Sequence, residues 1–385
     1  MEKNMTQWYE ELATNEDMTI ERAVAFLERE AHPRSFSEII EKFCPADDPK
    51  KILTAGLKEN HQDLAAGSVE KRVRGWFQGK HGVEKSDAVE LCYILELDLE
   101  QADDFVALLA EERFHWRDPE EIIDIFALAH HYSYAQAKAL KEQLLPCLPR
   151  EQETPSPKEE MFTALVKRDV LRLRNEEELK SFLFENSARL GKLHNNAYRL
   201  FIDRLDLLES PPPDYIDDSK TGMTIRDILL EYMYIGNVSQ AKERARKTKK
   251  GELRDDDAFI LSAAQKNILK YWPDETTLSK MKSRAMDVTR KVLILLLLAT
   301  EEGFQSDLDE DDWLYEEPEE YSREEAFADI YGRLNQTLLD CGFSTLDARV
   351  PFDWMVLYSI CVDDIFDADL RMRGLIRRMF PEDGN

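Results

Sequence analysis

No cysteine in this chain stands three positions from another, and the five present (Cys44, Cys92, Cys147, Cys341 and Cys361) are odd in number. That spacing argues against both a zinc knuckle and a disulfide framework and points to a reducing compartment. Also missing are the phosphate-cradling G-x4-G-K-[ST], the dinucleotide-binding G-x-G-x-x-G, H-E-x-x-H and G-x-S-x-G. No cofactor, metal or catalytic group is therefore expected. Glycine is scarce, at 14 in 385 residues, and no stretch alternates apolar and polar side chains as a half-buried strand would. Both absences point to an all-α chain. The most apolar run, Val292 to Ala299, is far shorter than the roughly 20 residues that span a bilayer and reads as a buried core helix. The first residues are acidic and polar where a secretory signal needs a basic and then apolar run. A cytoplasmic protein with no membrane association is expected. Positive charge is short too: 51 Lys and Arg against 78 Asp and Glu leave a net charge of −27. A molecule of that charge repels nucleic acid as a whole, so any contact with DNA must be local.

What is present is helical patterning, interrupted by proline. Met5 to Arg29 reads as an amphipathic helix pair ended by Pro33, so residues 1–34 form an N-terminal helical segment. Ser35-Phe36-Ser37-Glu38 offers a capping box that starts a helix through Phe43. Asp118-Pro119 is a helix start, because proline loses nothing in the first helical turn. Residues 35–148 are expected to form one module closed by a helical hairpin. Four prolines between Pro146 and Pro157 mark residues 149–160 as a linker. Residues 161–385 then make a larger helical C-terminal domain, interrupted by Pro211-Pro212-Pro213 and by an acidic loop at 304–325. Thr276 to Glu302 is the longest periodic run and reads as its central helix.

The stretch from Ser68 to Leu95 has the clearest two-faced design. Val69, Val73 and Trp76 stand at i, i+4 and i+7, one apolar stripe on a helix. Lys71, Arg74 and Gln78 then occupy the opposite face. Ser68 is the expected N-cap, and Gly79 stands where a helix stops in a left-handed turn. Five basic residues between Ser68 and Lys85 (Lys71, Arg72, Arg74, Lys80, Lys85) oppose two acidic ones (Glu70, Glu84), a local reversal of the sign of the chain. An apolar back with a basic, amide-bearing front suits a major-groove recognition helix. It also suits a solvated surface helix.

Trp76-Phe77-Gln78-Gly79, followed by the amphipathic Ala88, Leu91, Cys92 and Leu95 and then Leu97-Asp98-Leu99-Glu100, resembles the second half of the phage-repressor-like (Cro/repressor type) helix-turn-helix module. The resemblance covers about sixty residues, Ile52 to Leu109, and it departs from the family upstream, where Leu64-Ala65-Ala66-Gly67 replaces the tight alanine-bearing turn. It implies double-stranded DNA as partner and Ser68, Lys71, Arg72, Arg74, Gln78 and Lys80 as the contacting residues. The whole chain also looks like a group of multi-helical proteins of Gram-positive gut bacteria, through Phe114-His115-Trp116-Arg117-Asp118-Pro119, Asp287-Val288-Thr289-Arg290-Lys291 and Pro351-Phe352-Asp353-Trp354. That likeness implies no activity.

Other constellations have blander readings. Lys242 to Arg254 holds seven basic and two acidic residues and reads as a phosphate-binding strip or an exposed helix end. In the acidic run Asp307 to Glu325, Asp307-x-Asp309-x-Asp311 begins like a calcium loop, but Asp312 replaces the glycine and Pro318 the bidentate glutamate. A solvated acidic loop is the default there. Arg189-x4-His194 resembles the arginine-to-histidine spacing of helical HEPN-type ribonucleases, with Leu190 where that family carries a polar residue. His130 and His131 sit about 100° apart on a helix and cannot share a site.

The reading that absorbs most of these observations is a DNA-binding transcriptional regulator. A repressor-like module at the N-terminal end would be joined to a helical domain that dimerises or senses a peptide, small molecule or protein, an arrangement that resembles peptide-sensing regulators of Gram-positive bacteria. Two alternatives from other classes stay open: a helical adaptor that binds protein and not DNA, and a HEPN-like ribonuclease using Arg189 and His194.

Overall fold

The computed structural model describes residues 5–15, 17–62, 65–148, 160–187, 190–211, 222–252, 259–300, 323–362 and 367–381. Among them the chain forms helices and no β-strand, with one isolated bridge between Glu112 and Phe343. The expected all-α class is what the chain adopts. No helix among the described residues is long and apolar enough to cross a membrane.

In chain order, α1 (Met5–Ala13) and α2 (Ile20–Arg29) precede α3 (Phe36–Phe43), α4 (Pro49–Asn60), α5 (Ala66–Phe77), α6 (Lys85–Ile94), α7 (Leu99–Ala110), α8 (Pro119–Ala129) and α9 (Tyr134–Leu144). After these come α10 (Glu160–Val170), α11 (Glu176–Glu185), α12 (Asn195–Glu209), α13 (Ile225–Glu231), α14 (Ile235–Lys249), α15 (Ala263–Leu269) and α16 (Glu275–Lys282). The last four are α17 (Arg290–Ala299), α18 (Arg323–Asp340), α19 (Pro351–Ile360) and α20 (Asp367–Met379). Local chemistry explains many starts. Ser35 and Glu38 form the expected reciprocal box on α3, and Asp98 with Gln101 and Ser133 with Gln136 repeat it on α7 and α9. Asp118 caps α8, whose first residue is Pro119. Each such cap satisfies backbone donors that a helix start leaves open.

One long helix expected from sequence is two. Thr276 to Glu302 breaks after α16, where Arg284 adopts a φ of 56°, a left-handed conformation that a residue with a side chain seldom takes. Its N–H donates to Met281 O at 3.0 Å and that of Ala285 to Lys280 O at 2.8 Å, which closes the last turn of α16. The Arg284 guanidinium lies 4.4 Å from the Tyr198 ring centroid, a tertiary contact that helps to hold the turn and has no local signature.

The described helices form two compact units. The smaller comprises Arg34–Ala197 with Leu339–Ser344; the larger joins Met1–Pro33, Tyr198–Leu338 and Thr345–Asn385. This corrects the expected division at 149–160, of which residues 149–159 lie outside the described residues. Val166, Val170, Leu179, Leu183 and Leu190 share one apolar core with Val73, Phe105 and Phe126, so α10 and α11 complete the smaller unit. The N-terminal helices do not stand alone either. In the larger unit Trp354 Nε1 donates to Tyr9 O at 3.0 Å and Tyr358 Oη to Met18 O at 3.2 Å, which anchors the chain start to α19.

The larger unit is organised around α17 and α19. Every residue of α19, and all of α17 except Lys291, is buried. Arg290 meets Asp353 in a two-pronged ion pair, Nη1 to Oδ1 at 2.7 Å and Nη2 to Oδ2 at 2.8 Å, and Nη2 also donates to Thr345 O at 3.1 Å. Breaking a buried pair by removing one partner leaves a charge without compensation, a loss of about 3 to 5 kcal/mol. Arg290→Ala and Asp353→Ala are each expected to lower the unfolding free energy by that amount in chemical denaturation. A loss under about 1 kcal/mol, the range of an exposed pair, would show that the bridge is not a structural keystone.

Candidate nucleic-acid interface

The apolar stripe of α5 is buried as its spacing requires. Val69, Val73 and Trp76 are each at most 3% exposed, and they lock the helix into the core of the smaller unit. Lys71, Arg74, Gln78 and Lys80 are exposed. With the exposed Gly67, Lys71, Arg74 and Gln78 follow at i+4, i+7 and i+11, so they form one stripe down the outer face. A helix of 12 residues carries that stripe over about 18 Å.

Both ends of α5 are determined by short-range chemistry, though only one end was legible. At the C-terminus Gly79 takes φ +62°, with Lys80 N–H donating to Gly75 O at 2.9 Å and Gly79 N–H to Trp76 O at 3.0 Å. This is the left-handed stop that glycine permits. At the N-terminus the helix begins at Ala66 after Ala65, which supplies no side-chain cap. Ser68, expected as N-cap, lies inside the first turn, because the alanines before it are strong helix formers and extend the helix backwards.

The neighbouring helices hold α5 in place. Asn60 Nδ2 and His61 Nε2, at the end of α4, each lie 2.9 Å from a different oxygen of the buried Glu90 carboxylate of α6. Lys58 of α4 bonds Glu70 of α5 at 2.6 Å and holds that carboxyl below its ordinary range. Asp87 and Glu90, which bear so much of this geometry, carried no motif to single them out.

The basic cluster of the sequence divides in two. Arg72 turns sideways into an ion pair with Asp87 and lies 5.1 Å over the Trp76 ring, which makes it a brace between α5 and α6. Lys85 is held by Glu121 at 2.8 Å and Glu112 at 3.4 Å. Lys71, Arg74 and Lys80 form no ion pair among the described residues. The outer face therefore presents three cations and an amide.

The second expected basic strip is weaker. In α14, Glu243 bonds Arg246 at 2.6 Å and lies 3.9 Å from Lys247, so its own carboxylate offsets part of the charge. Residues 253–258, including Arg254, lie outside the described residues. So do residues 301–322, which hold nearly all of the acidic run.

Of the two residues in the ribonuclease reading, only His194 is described. Arg189 lies outside the described residues. His194 is buried, its ring 4.0 Å from that of His115 and 5.4 Å from that of Phe343. Gly342, at φ +82°, closes over it, and a Cβ there would fall 2.6 Å from His194 Cδ2. His130 and His131 share no site: His130 Nε2 lies 2.8 Å from Leu173 O, and His131 takes a φ of 55° just past α8. No group of acidic, histidine and cysteine side chains among the described residues could hold a metal. Comparison with family models, with characterised proteins and with solved structures finds no match.

Buried His115 makes the smaller unit sensitive to acid. Burial, then the His194 ring and the Lys85 and Arg117 charges, push the His115 imidazole well below its ordinary value of 6.5. The folded state thus holds His115 neutral while the unfolded chain protonates it near 6.5, so this contribution to stability is complete above that pH and is lost as pH falls. The slope is about 1.4 kcal/mol per pH unit below 6.5 until the folded-state value is reached. Asp118, pushed up to about 6 by burial, acts in the opposite direction between about pH 4 and 6, favouring the folded state on acidification. The difference between wild type and His115→Phe isolates the histidine. Chemical denaturation from pH 7.5 to 5 should show the variant losing less stability than wild type, and parallel curves would place the sensitivity elsewhere.

Proposed function

We propose that α5 is the DNA-reading helix of a helix-turn-helix module and that the protein acts as a transcriptional regulator. The observation that carries the reading is the exposed Lys71, Arg74 and Gln78 stripe on a helix whose opposite face is wholly buried. Arginine and lysine recognise guanine edges and phosphates, and glutamine recognises adenine. A major groove about 12 Å wide admits one helix. Lys58, α4 and α6 hold this helix rigidly, which reduces the ordering needed on binding. Lys80, just beyond the helix end, reaches the backbone rather than the bases. Ser68 stays in the contact set as a first-turn hydroxyl, whereas Arg72 serves recognition only by fixing the angle of α5.

Three exposed cations on a chain of net charge −27 make binding steeply dependent on salt and confine it to this face. Two half-sites on one duplex face, about 34 Å apart, would be read by a homodimer, with the larger unit as the dimerising or ligand-sensing part. An adaptor that binds protein alone is the competing outcome.

Selection of genomic fragments at low salt should enrich a discrete DNA sequence. Lys71→Glu with Arg74→Glu should abolish its binding while shifting stability by no more than about 0.5 kcal/mol, the usual range for exposed positions. Single Lys71→Ala should lower the slope of log affinity against log salt by about one. Selection that enriches no sequence would leave α5 as a solvated face and favour the adaptor.

A further inference from the structure

A cavity in the larger unit sets opposite charges beside an apolar wall. It starts from the opening of α20, Asp367-Ala368-Asp369-Leu370-Arg371. On a helix Asp367, Leu370 and Arg371 share one face, and Asp369 points elsewhere; Asp369 accepts from Tyr234 Oη at 2.7 Å and from Arg373 at 3.0 Å. Around the shared face stand Ile20 at the start of α2, Arg323 at the start of α18 and Val362 just past α19. Together they line a cavity of about 320 Å³, within the range of roughly 300 to 1,000 Å³ that takes small ligands. The wall at Ile20 is rigid: Gly374 lets α20 approach so closely that a Cβ there would fall 2.9 Å from Ile20 Cδ1.

The charges on the wall are arranged unusually. Asp367 and Arg371 stand at i, i+4, the spacing at which opposite charges ordinarily pair. Here they do not. Arg371 turns to donate to Cys361 O and lies 3.9 Å over the Tyr358 ring, while Arg323 donates to the same carbonyl at 2.7 Å. A guanidinium has five N–H donors, and Arg371 has no hydrogen-bond acceptor but Cys361 O among the described residues. Asp367 is exposed and forms no ion pair among them. A carboxylate and a fixed guanidinium are thus kept apart across a cavity whose other walls, among the described residues, are Ile20, Val362 and Leu370.

We propose that this cavity binds a free aliphatic α-amino acid. Its carboxylate meets Arg371, with Arg323 adding positive charge; its ammonium meets Asp367; its side chain packs on Ile20, Val362 and Leu370. A phosphate would face Asp367 and leave the apolar wall bare. A fatty carboxylate would leave Asp367 without a counter-charge. The proposal is independent of DNA binding, because the ligand is titrated without DNA.

The test is calorimetric titration of the full chain with L-leucine, with 4-methylpentanoate, which lacks the ammonium, and with 3-methylbutylamine, which lacks the carboxylate. Leucine should bind saturably and each analogue at least about tenfold more weakly, the loss expected for one charged hydrogen bond. Asp367→Asn, at an exposed position, should weaken leucine about tenfold and leave 4-methylpentanoate unchanged or improved. Arg371→Gln should abolish binding of both, but it also loosens Cys361 and Tyr358, so Asp367→Asn is the discriminating variant. Absence of saturable leucine binding to the wild type, equal binding of all three compounds, or leucine affinity unaltered in Asp367→Asn would each overturn the proposal.

Discussion

The ion pair between Arg290 and Asp353 is the constraint on which the larger unit depends. α17 opens with two consecutive cations, Arg290 and Lys291, at the helix end where the backbone dipole disfavours positive charge, and then runs apolar to Ala299. Such an opening is stable only if both cations find specific partners. Arg290 takes both oxygens of Asp353, and Asp347 N–H donates to the same carboxylate at 2.9 Å. Lys291 Nζ bonds Ile268 O and Lys270 O, each at 2.7 Å, and lies 4.9 Å from the Phe352 ring. The two cations thereby tie α17 to α19 and to the C-terminal end of α15, whose last carbonyls want a positive charge. Asp287-Val288-Thr289-Arg290-Lys291 and Pro351-Phe352-Asp353-Trp354, two of the three segments that carry the whole-chain likeness, prove to be the two halves of one packing arrangement.

A comparable logic shapes the smaller unit, with carboxylates as the braces. Glu90 gathers Asn60 and His61 at the end of α4, and Asp124 accepts from Tyr93 at 2.8 Å and from Lys141 at 2.6 Å, joining α6, α8 and α9. Burying a carboxylate is tolerable only when its oxygens are occupied, and here each has two partners. Rigid placement of α5 follows from this. Its back is held by Val69, Val73 and Trp76, its flanks by Lys58 with Glu70 and Arg72 with Asp87, and only the outer face is left to meet a partner.

What was legible in the sequence was what local physics decides. The capping box at Ser35, the Asp118-Pro119 start, the left-handed stop at Gly79 and the inward stripe of α5 all depend on residues a few positions apart. Features decided by distant contacts were not legible. Arg72 reads as a front-face cation until Asp87 is seen beside it, and Thr276 to Glu302 reads as one helix until Tyr198 meets Arg284. The discontinuous units escaped for the same reason: nothing near Tyr9 announces that Trp354 bonds its carbonyl. The cavity beside α20 draws on Ile20, Arg323, Val362 and Asp367, from four parts of the chain, and only the i, i+4 pair of Asp367 and Arg371 could have hinted at it.

The acidity of the chain sharpens which cations deserve a functional reading. With 78 carboxylate residues to 51 basic ones, a lysine or arginine on the surface has a counter-charge within reach in most settings, and the fold pairs many of them. Arg113 is held by Asp103 and Asp104, Lys282 by Glu209, Arg373 by Glu231 and Asp369. Leaving Lys71 and Arg74 without a direct ion pair among the described residues therefore takes arrangement: Lys58 binds Glu70, which still feels the Arg74 charge, and Arg72 binds Asp87. In the larger unit Cys361 O and the Tyr358 ring keep Arg371 from Asp367. An electropositive group withheld from an acidic molecule is in a higher-energy state than a paired one, and that energy is available to an anionic ligand that fits.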